Sequence, residues 1–370
     1  MANPIQSLQA LGQSVWLDYI RRGMLNSVEF QRFIDMGITG VTSNPTIFEK
    51  AIGGSDDYDQ ALTELSDSGK TTGEIYEVLA VKDIQGAADM LHPIYDRTGG
   101  VDGYVSLEVS PLLAADTQRT IEEAKRLFAI VGRPNVMIKV PATPEGIPAI
   151  TELIGSGVNV NATLIFALEM YDQVREAYVS GLEKLDFNGG DVSRIASVAS
   201  FFVSRVDTAV DRLLEERSQG VDDMKSLLGK AAVANAKVAY QAFRTTFESG
   251  QFEALKGKGA RVQRPLWAST SAKNPAYSDV LYVEPLVGPN TVNTMPPETI
   301  ESFMDHGRTE VTIELDFERA QRALTAIEAA GISMESITSK LLADGVKSFS
   351  DSFEKLLVGI EKKRQQLAEG

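Results

Sequence analysis

The stretch Asn135–Thr143, NVMIKVPAT, decides how the rest of the chain is read. It is short, rich in β-branched residues and closed by a proline, which predicts a strand. Val136, Ile138 and Val140 take one face and leave Met137 and Lys139 on the other. If protein covers both faces of that strand, the ammonium of Lys139 loses its water, and an unpartnered buried charge is very costly.

Seven other runs of the same kind lie around it, bounded by turn residues: 14–18 (SVWLD), 37–45 (GITGVTSNP), 103–110 (GYVSLEVS), 157–166 (GVNVNATLIF), 194–204 (RIASVASFFVS), 264–271 (RPLWASTS) and 280–288 (VLYVEPLVG). Helical patterns separate most of them. In residues 116–135, Ile121, Ala124, Leu127, Phe128 and Val131 mark one face, Asp116 or Thr117 can cap the start and Gly132 can end it. Strand and helix in alternation call for a parallel sheet covered by helices, and eight strands favour a closed (β/α)8 TIM barrel over an open sheet. No glycine-rich dinucleotide or phosphate-loop fingerprint follows the first strand.

The expected organisation is a single barrel domain over residues 1–370, with helical insertions near 56–99 and 207–259. A long helix is expected near 222–247, and C-terminal helices near 316–370 pack across the barrel. Low-complexity segments, proline-rich linkers and repeats of 20–50 residues are absent.

Composition narrows the function. The 370 residues are 43% hydrophobic, enough for a large core, and carry a formal net charge of -15. That charge argues against nucleic-acid or anionic-membrane partners, which need basic surfaces, though it permits a local cationic pocket. Cysteine is absent, which removes disulfides and thiolate chemistry. The N-terminal stretch has no basic segment followed by a long apolar run, and no window approaches the ~18 apolar residues of a membrane span, so the expected location is cytoplasmic.

Inward-facing residues follow from strand parity. On the third strand Val105, Leu107 and Val109 leave Ser106, Glu108 and Ser110 for the other face, so a carboxylate and the Lys139 amine point inward from neighbouring strands. The same parity sets Asp18 with Trp16, Thr42 with Asn44, and Asn159 with Asn161 and Thr163. These fall late in their strands, at the end where barrel active sites are built.

Two readings of Lys139 compete. One is a structural ion pair with Glu108. The other is an imine-forming amine: desolvation that moves a lysine from about 10.4 toward 7 or 8 favours the neutral, nucleophilic form by roughly 4 kcal/mol. A metal-dependent lyase is rejected, because the only histidines, His92 and His306, read as surface or capping residues. Arg205 after the sixth strand, and Lys273 after the seventh beside Ser269 and Ser271, suit a phosphate monoester.

Taken in order, VWLDYIRRG, GVTSNPTIF, VSLEVSP, IKVPAT, GVNVNATLIFALEMY, ASVASFFVSRVD, LWASTSAKNP and EPLVGPNTVNTMP resemble the transaldolase family, class I Schiff-base enzymes of the pentose phosphate pathway. The resemblance implies that Lys139 carries the imine, Asp18 exchanges the proton of the sugar C4 hydroxyl, and Glu108 acts through a water held by Thr163. It implies that Asn44 and Asn161 bind the dihydroxyacetone unit, that Thr42 and Ser200 support it, that Phe202 walls the pocket, and that Arg205, Ser269 and Lys273 take the phosphate. Many members carry an arginine in the loop after the seventh strand, where this chain has STSAKN, which leaves Lys273 or Ser271 as the second phosphate contact.

The implied reaction moves dihydroxyacetone from sedoheptulose 7-phosphate or fructose 6-phosphate to glyceraldehyde 3-phosphate or erythrose 4-phosphate, with no cofactor. The alternatives are a fructose 6-phosphate aldolase, in which an amide usually replaces Glu108, and a catalytically silent sugar-phosphate-binding barrel. Whether the chain forms a homodimer, and whether the helix near 222–247 makes a subunit contact, is left open by the sequence.

Overall fold

Eight parallel strands close into one barrel in sequence order: β1 (Gln13–Leu17), β2 (Gly40–Val41), β3 (Tyr104–Glu108), β4 (Val136–Pro141), β5 (Val160–Ile165), β6 (Ser197–Phe202), β7 (Arg264–Ala268) and β8 (Thr291–Met295). The computed structural model describes residues 2–218, 222–248 and 250–369. Helices pack around the strands, as the alternation predicts. The helix Thr117–Val131 starts on the Asp116 side chain, which accepts from the Arg119 amide, and stops at Gly132 in the left-handed region. No helix among the described residues is long and apolar enough to cross a membrane.

One expected strand is not a strand. Residues 280–288 form turns and the 3-10 turn Glu284–Leu286, and the eighth barrel place belongs to 291–295 instead. Pro285 has no amide hydrogen for a sheet ladder. The carbonyls of the segment are taken from the barrel's outer face: Gln13 Nε2 donates to Leu286 O at 2.7 Å, Trp267 Nε1 to the same oxygen at 3.1 Å, and Asn293 Nδ2 to Tyr282 O at 3.3 Å. Val280, Tyr282, Val283, Leu286 and Val287 are all buried. The run is apolar because it covers β1, β7 and β8 in place of a crossover helix.

The helix expected near 222–247 is also divided, into Asp222–Lys225 and Ala231–Phe247. Gly229 between them sits at φ +68°, where its N–H donates to Asp211 Oδ1 at 3.0 Å. Ala232 N donates to Asp207 Oδ1 at 2.7 Å, while Tyr282 and Tyr277 hydroxyls donate to the other oxygens of Asp207 and Asp211. Two carboxylates one turn apart on the helix Ser204–Ser218 thus tie down the second helix and the covering segment. Residues 219–221 and 249, within the expected insertion, lie outside the described residues.

The C-terminal helices are Phe317–Ala329 and Met334–Glu369. The second, about 54 Å long at 1.5 Å per residue, packs against the helices Ser204–Ser218, Pro45–Gly53 and Thr72–Arg97 and touches β5. It therefore lies over the C-terminal ends of the strands.

The opposite end of the barrel is plugged. Trp16 is fully buried, its Nε1 donates to Asp102 Oδ1 at 2.8 Å, and Arg264 pairs with the same carboxylate at 3.5 Å. Gly40 is the register partner of Trp16, and a Cβ there would lie 2.5 Å from the indole. Gly40→Ala should therefore destabilise the fold by about 1–3 kcal/mol, since an overfilled core forces ring or strand to move. Urea unfolding followed by tryptophan emission measures this, and a change under roughly 0.5 kcal/mol would contradict the packing described.

A second expectation concerns Asp207, which burial pushes up to about 6, with the nearby Asp211 charge adding to the rise. A carboxyl raised on folding costs stability when ionised, above its folded value, and that cost disappears as pH falls through about 6 toward 4. Asp207→Asn should gain stability relative to the unaltered protein between pH 5 and pH 8, by up to roughly 3 kcal/mol. A difference between the two proteins that stays constant across that range would be inconsistent with a buried charge at Asp207.

Candidate active site

Lys139 lies on β4 between Glu108 on β3 and Asn161 on β5, and all three are register partners in adjacent strands. Its side chain is 5% exposed. Nζ donates to the Ser43 carbonyl at 2.9 Å and stands 3.4 Å from Glu108 Oε2, itself 3% exposed. The amine thus has one backbone acceptor and one counter-charge. Burial raises the Glu108 carboxyl above its usual range; Lys139 pulls it down and the Asp18 charge adds to the rise. Neither Glu108 oxygen has a hydrogen-bond partner among the described residues.

Asp18 follows β1 at the same end of the barrel. The Thr42 hydroxyl donates to its Oδ1 at 2.7 Å and lies 2.6 Å from the Thr294 hydroxyl of β8. Burial again raises the carboxyl, against the lowering effects of Thr42, Lys139, Arg205 and Lys273. Two acids with raised values therefore flank one amine.

A cleft with roughly 790 Å³ of empty space opens above Lys139. Asp18, Thr42, Asn44, Thr163, Ser200 and Phe202 reach its wall, together with Arg205, Ser269, Ser271 and Lys273 at one end. Two expected residues do not line it. Glu108 stands behind Lys139 and faces a neighbouring hollow with Tyr76, Ser110 and Phe353. Asn161 is fully buried, donating to Ser106 Oγ at 3.0 Å and accepting from Ser200 Oγ at 2.7 Å.

Local backbone explains several orientations. Asn44 caps the helix Pro45–Gly53 by accepting from Ile47 N at 3.0 Å, which fixes its amide at the mouth. Thr163 precedes Leu164, held at φ +60°, where β5 slips register against β6 between Ala162 and Ile165. Such bulges re-aim side chains, and the buried Thr163 hydroxyl has no hydrogen-bond partner among the described residues. Asn159 acts away from the mouth, where it bonds Pro134 O, Val136 O and Ala196 N and so joins the starts of β4, β5 and β6.

The cationic end is uneven. Arg205 is partly buried, its guanidinium 5.2 Å from the Phe202 ring centre, and desolvation lowers it while Asp18 raises it. Lys273 is exposed and donates to Ser271 Oγ at 2.6 Å, so both alternatives for the second phosphate contact reach the cleft as one bonded pair. Ser269 sits at φ +56°, with its hydroxyl 3.0 Å from that of Ser204.

Sequence reasoning missed Thr270, Thr294 and Phe349 on the cleft wall. Thr294 was hidden by the misplaced eighth strand; the turn Gly288–Asn290 before a β-branched run was the available signal. Phe349 comes from the C-terminal helix, and no local pattern reports which distant strands a helix will cover. The histidines lie elsewhere: His92 is 3.6 Å from Asp96, and His306 bonds Asp279 at 2.9 Å on the surface.

The family model for Transaldolase/Fructose-6-phosphate aldolase matches residues 15–360. A curated "Transaldolase 2" of Streptomyces coelicolor is 47% identical over 100% of this chain and 99% of its own length. The "Transaldolase" of Thermobifida fusca is 47% identical with the same coverage, and that of Trichodesmium erythraeum is 44% identical over 99% of both chains. With Lys139, Glu108 and Asp18 gathered at the mouth of an eight-stranded barrel, the chain belongs to the transaldolase/fructose-6-phosphate aldolase family.

Proposed function

We propose that this chain is a transaldolase that moves a three-carbon dihydroxyacetone unit from a ketose phosphate to an aldose phosphate through an imine on Lys139. The observation that carries the mechanism is a lysine amine almost out of water, 3.4 Å from a carboxylate, opening onto a cleft with a cationic end. Sedoheptulose 7-phosphate and fructose 6-phosphate are the donors in this reading, and glyceraldehyde 3-phosphate and erythrose 4-phosphate the acceptors. The 370 residues act as a single barrel domain in the cytoplasm, with small sugar phosphates rather than nucleic acid as partners.

The roles follow from reach and charge. The neutral Lys139 amine adds to the ketose C2 carbonyl, and loss of water gives the imine. Glu108, with its carboxyl raised, moves the protons of that step through a water that the free Thr163 hydroxyl and the Glu108 oxygens can hold. Asp18 takes the C4 hydroxyl proton as the C3–C4 bond breaks and returns it when the acceptor adds, with Thr42 fixing its orientation.

Asn44, Asn161 and Ser200 surround the three-carbon unit. Asn161 acts from the floor, using the capacity left after its bonds to Ser106 and Ser200. Phe202 walls the site. Arg205 binds the phosphate with Ser269 and the Lys273–Ser271 pair, an arrangement suited to a dianion.

Borohydride reduction in the presence of fructose 6-phosphate, followed by peptide mass mapping, tests the imine directly. A dihydroxyacetone-derived adduct is expected on the peptide holding Lys139, with erythrose 4-phosphate consumed in a coupled transfer assay. Folded protein with intact substrate and no adduct would return Lys139 to a structural ion pair.

The pH profile gives an independent check. Asp18 must be ionised to take the hydroxyl proton, and its carboxyl is raised, so kcat/KM should fall on the acid side with a midpoint above the ordinary aspartate value of about 4. A midpoint at or below that value would rule out Asp18, as it stands in this site, as the base.

A further inference from the structure

We propose that Phe349 is a further positioning residue of this reaction, keeping water from the carbon of the enamine held on Lys139 so that the three-carbon unit passes to an aldose instead of being protonated and released. The inference rests on the imine reading above. Phe349 is 3% exposed, lines the cleft, and its ring centre lies 5.9 Å from Lys139 Nζ. It presents no donor or acceptor to the reacting nitrogen.

The ring is held in place by its own helix. Gly345, one turn before, lets that helix approach Leu164 so closely that a Cβ would lie 3.0 Å from Leu164 Cδ2. Ser352, one turn after, is hydrogen-bonded to Thr46 Oγ1 at 2.8 Å, on the helix capped by Asn44. Further along, Thr72 Oγ1 donates to Glu361 at 2.7 Å and Lys363 pairs with Asp59 at 2.6 Å. Residues 345, 349 and 352 share one helix face, so contacts on either side of Phe349 fix its height above the amine.

The chemistry gives that position a consequence. After C3–C4 cleavage the unit remains on Lys139 as an enamine. Transfer forms a new bond from its carbon to the aldehyde of the acceptor, whose oxygen takes the proton held by Asp18, and one water then hydrolyses the imine of the new ketose to free product and amine. Release takes another course: the enamine carbon gains a proton, water oxygen adds at C2, a proton passes to nitrogen and the C–N bond breaks. That sum consumes one water and returns free dihydroxyacetone and the amine. Both courses end in hydrolysis at C2 and part at the enamine carbon: an aromatic face there supplies no proton and occupies space from which water would deliver one.

The test compares Phe349→Leu and Phe349→Ala with the unaltered protein, after thermal unfolding has identified which variants are folded. Fructose 6-phosphate alone gives the rate of free dihydroxyacetone release; fructose 6-phosphate with erythrose 4-phosphate gives the rate of transfer. The release-to-transfer ratio should rise at least tenfold in Phe349→Ala and by a smaller factor in Phe349→Leu, which keeps apolar cover without the ring. A ratio within twofold of the unaltered protein in a folded variant, including equal losses of both rates, would overturn the role of Phe349 and leave it a packing residue. Failure to trap an adduct on Lys139 in the unaltered protein would overturn the imine reading as well, so the two failures are distinguishable.

Discussion

The arrangement of this molecule depends on a primary amine withdrawn from water beside a carboxylate. Lys139 could not stay buried alone, because the interior offers an ammonium far less than water does. Glu108 and the Ser43 carbonyl supply the compensation, one from β3 and one from the turn after β2. Their pull is incomplete, since the Glu108 carboxyl is itself raised by burial and has no hydrogen-bond partner among the described residues. An ion pair built this way, between two buried groups 3.4 Å apart, is poor as a staple.

The barrel converts that pair into a site. Adjacent parallel strands in register set Glu108, Lys139 and Asn161 side by side, while the bulge at Leu164 turns the chain just after Thr163. Asp18 and Thr42 enter from β1 and β2, and Thr294 of β8 joins them by a hydroxyl contact. Trp16, Asp102 and Arg264 meet at the far end, and the cleft above Lys139 opens at the mouth. Sheet closure brings together residues from opposite ends of the chain, such as Asp18 and Thr294, without any loop having to hold them.

Two segments outside the strands complete the design. Residues 280–288 seal the outer face of β7, β8 and β1, where a helix would ordinarily lie, and Asp207 anchors them through Tyr282. The C-terminal helix crosses the mouth and brings Phe349 to the amine. Apolar sequence in the first case and amphipathic sequence in the second are both explained by coverage of the barrel, one on its side and one on its opening.

Much of this was readable from local order. Strand parity has a period of two and needs no knowledge of the fold, so the alternation around Lys139 and Glu108 already set both side chains on one face and late in their strands. The same local rules marked the cap at Asp116 and the stop at Gly132. They favoured 280–288 over 291–295 for the last barrel place, because it is the more apolar run; the pairing of 291–295 with β1 and β7, and the outer-face hydrogen bonds from Gln13, Trp267 and Asn293 to 280–288, decide it. They could not show that Asn161 lies in the floor, or that Phe349 roofs the cleft. The sequence by itself determined which residue types each strand carries and which of them share a face, through periodicity. Tertiary structure alone decided which surfaces meet, because a contact between distant segments is set by packing and by competition for the same place, and neither is a local property of the chain.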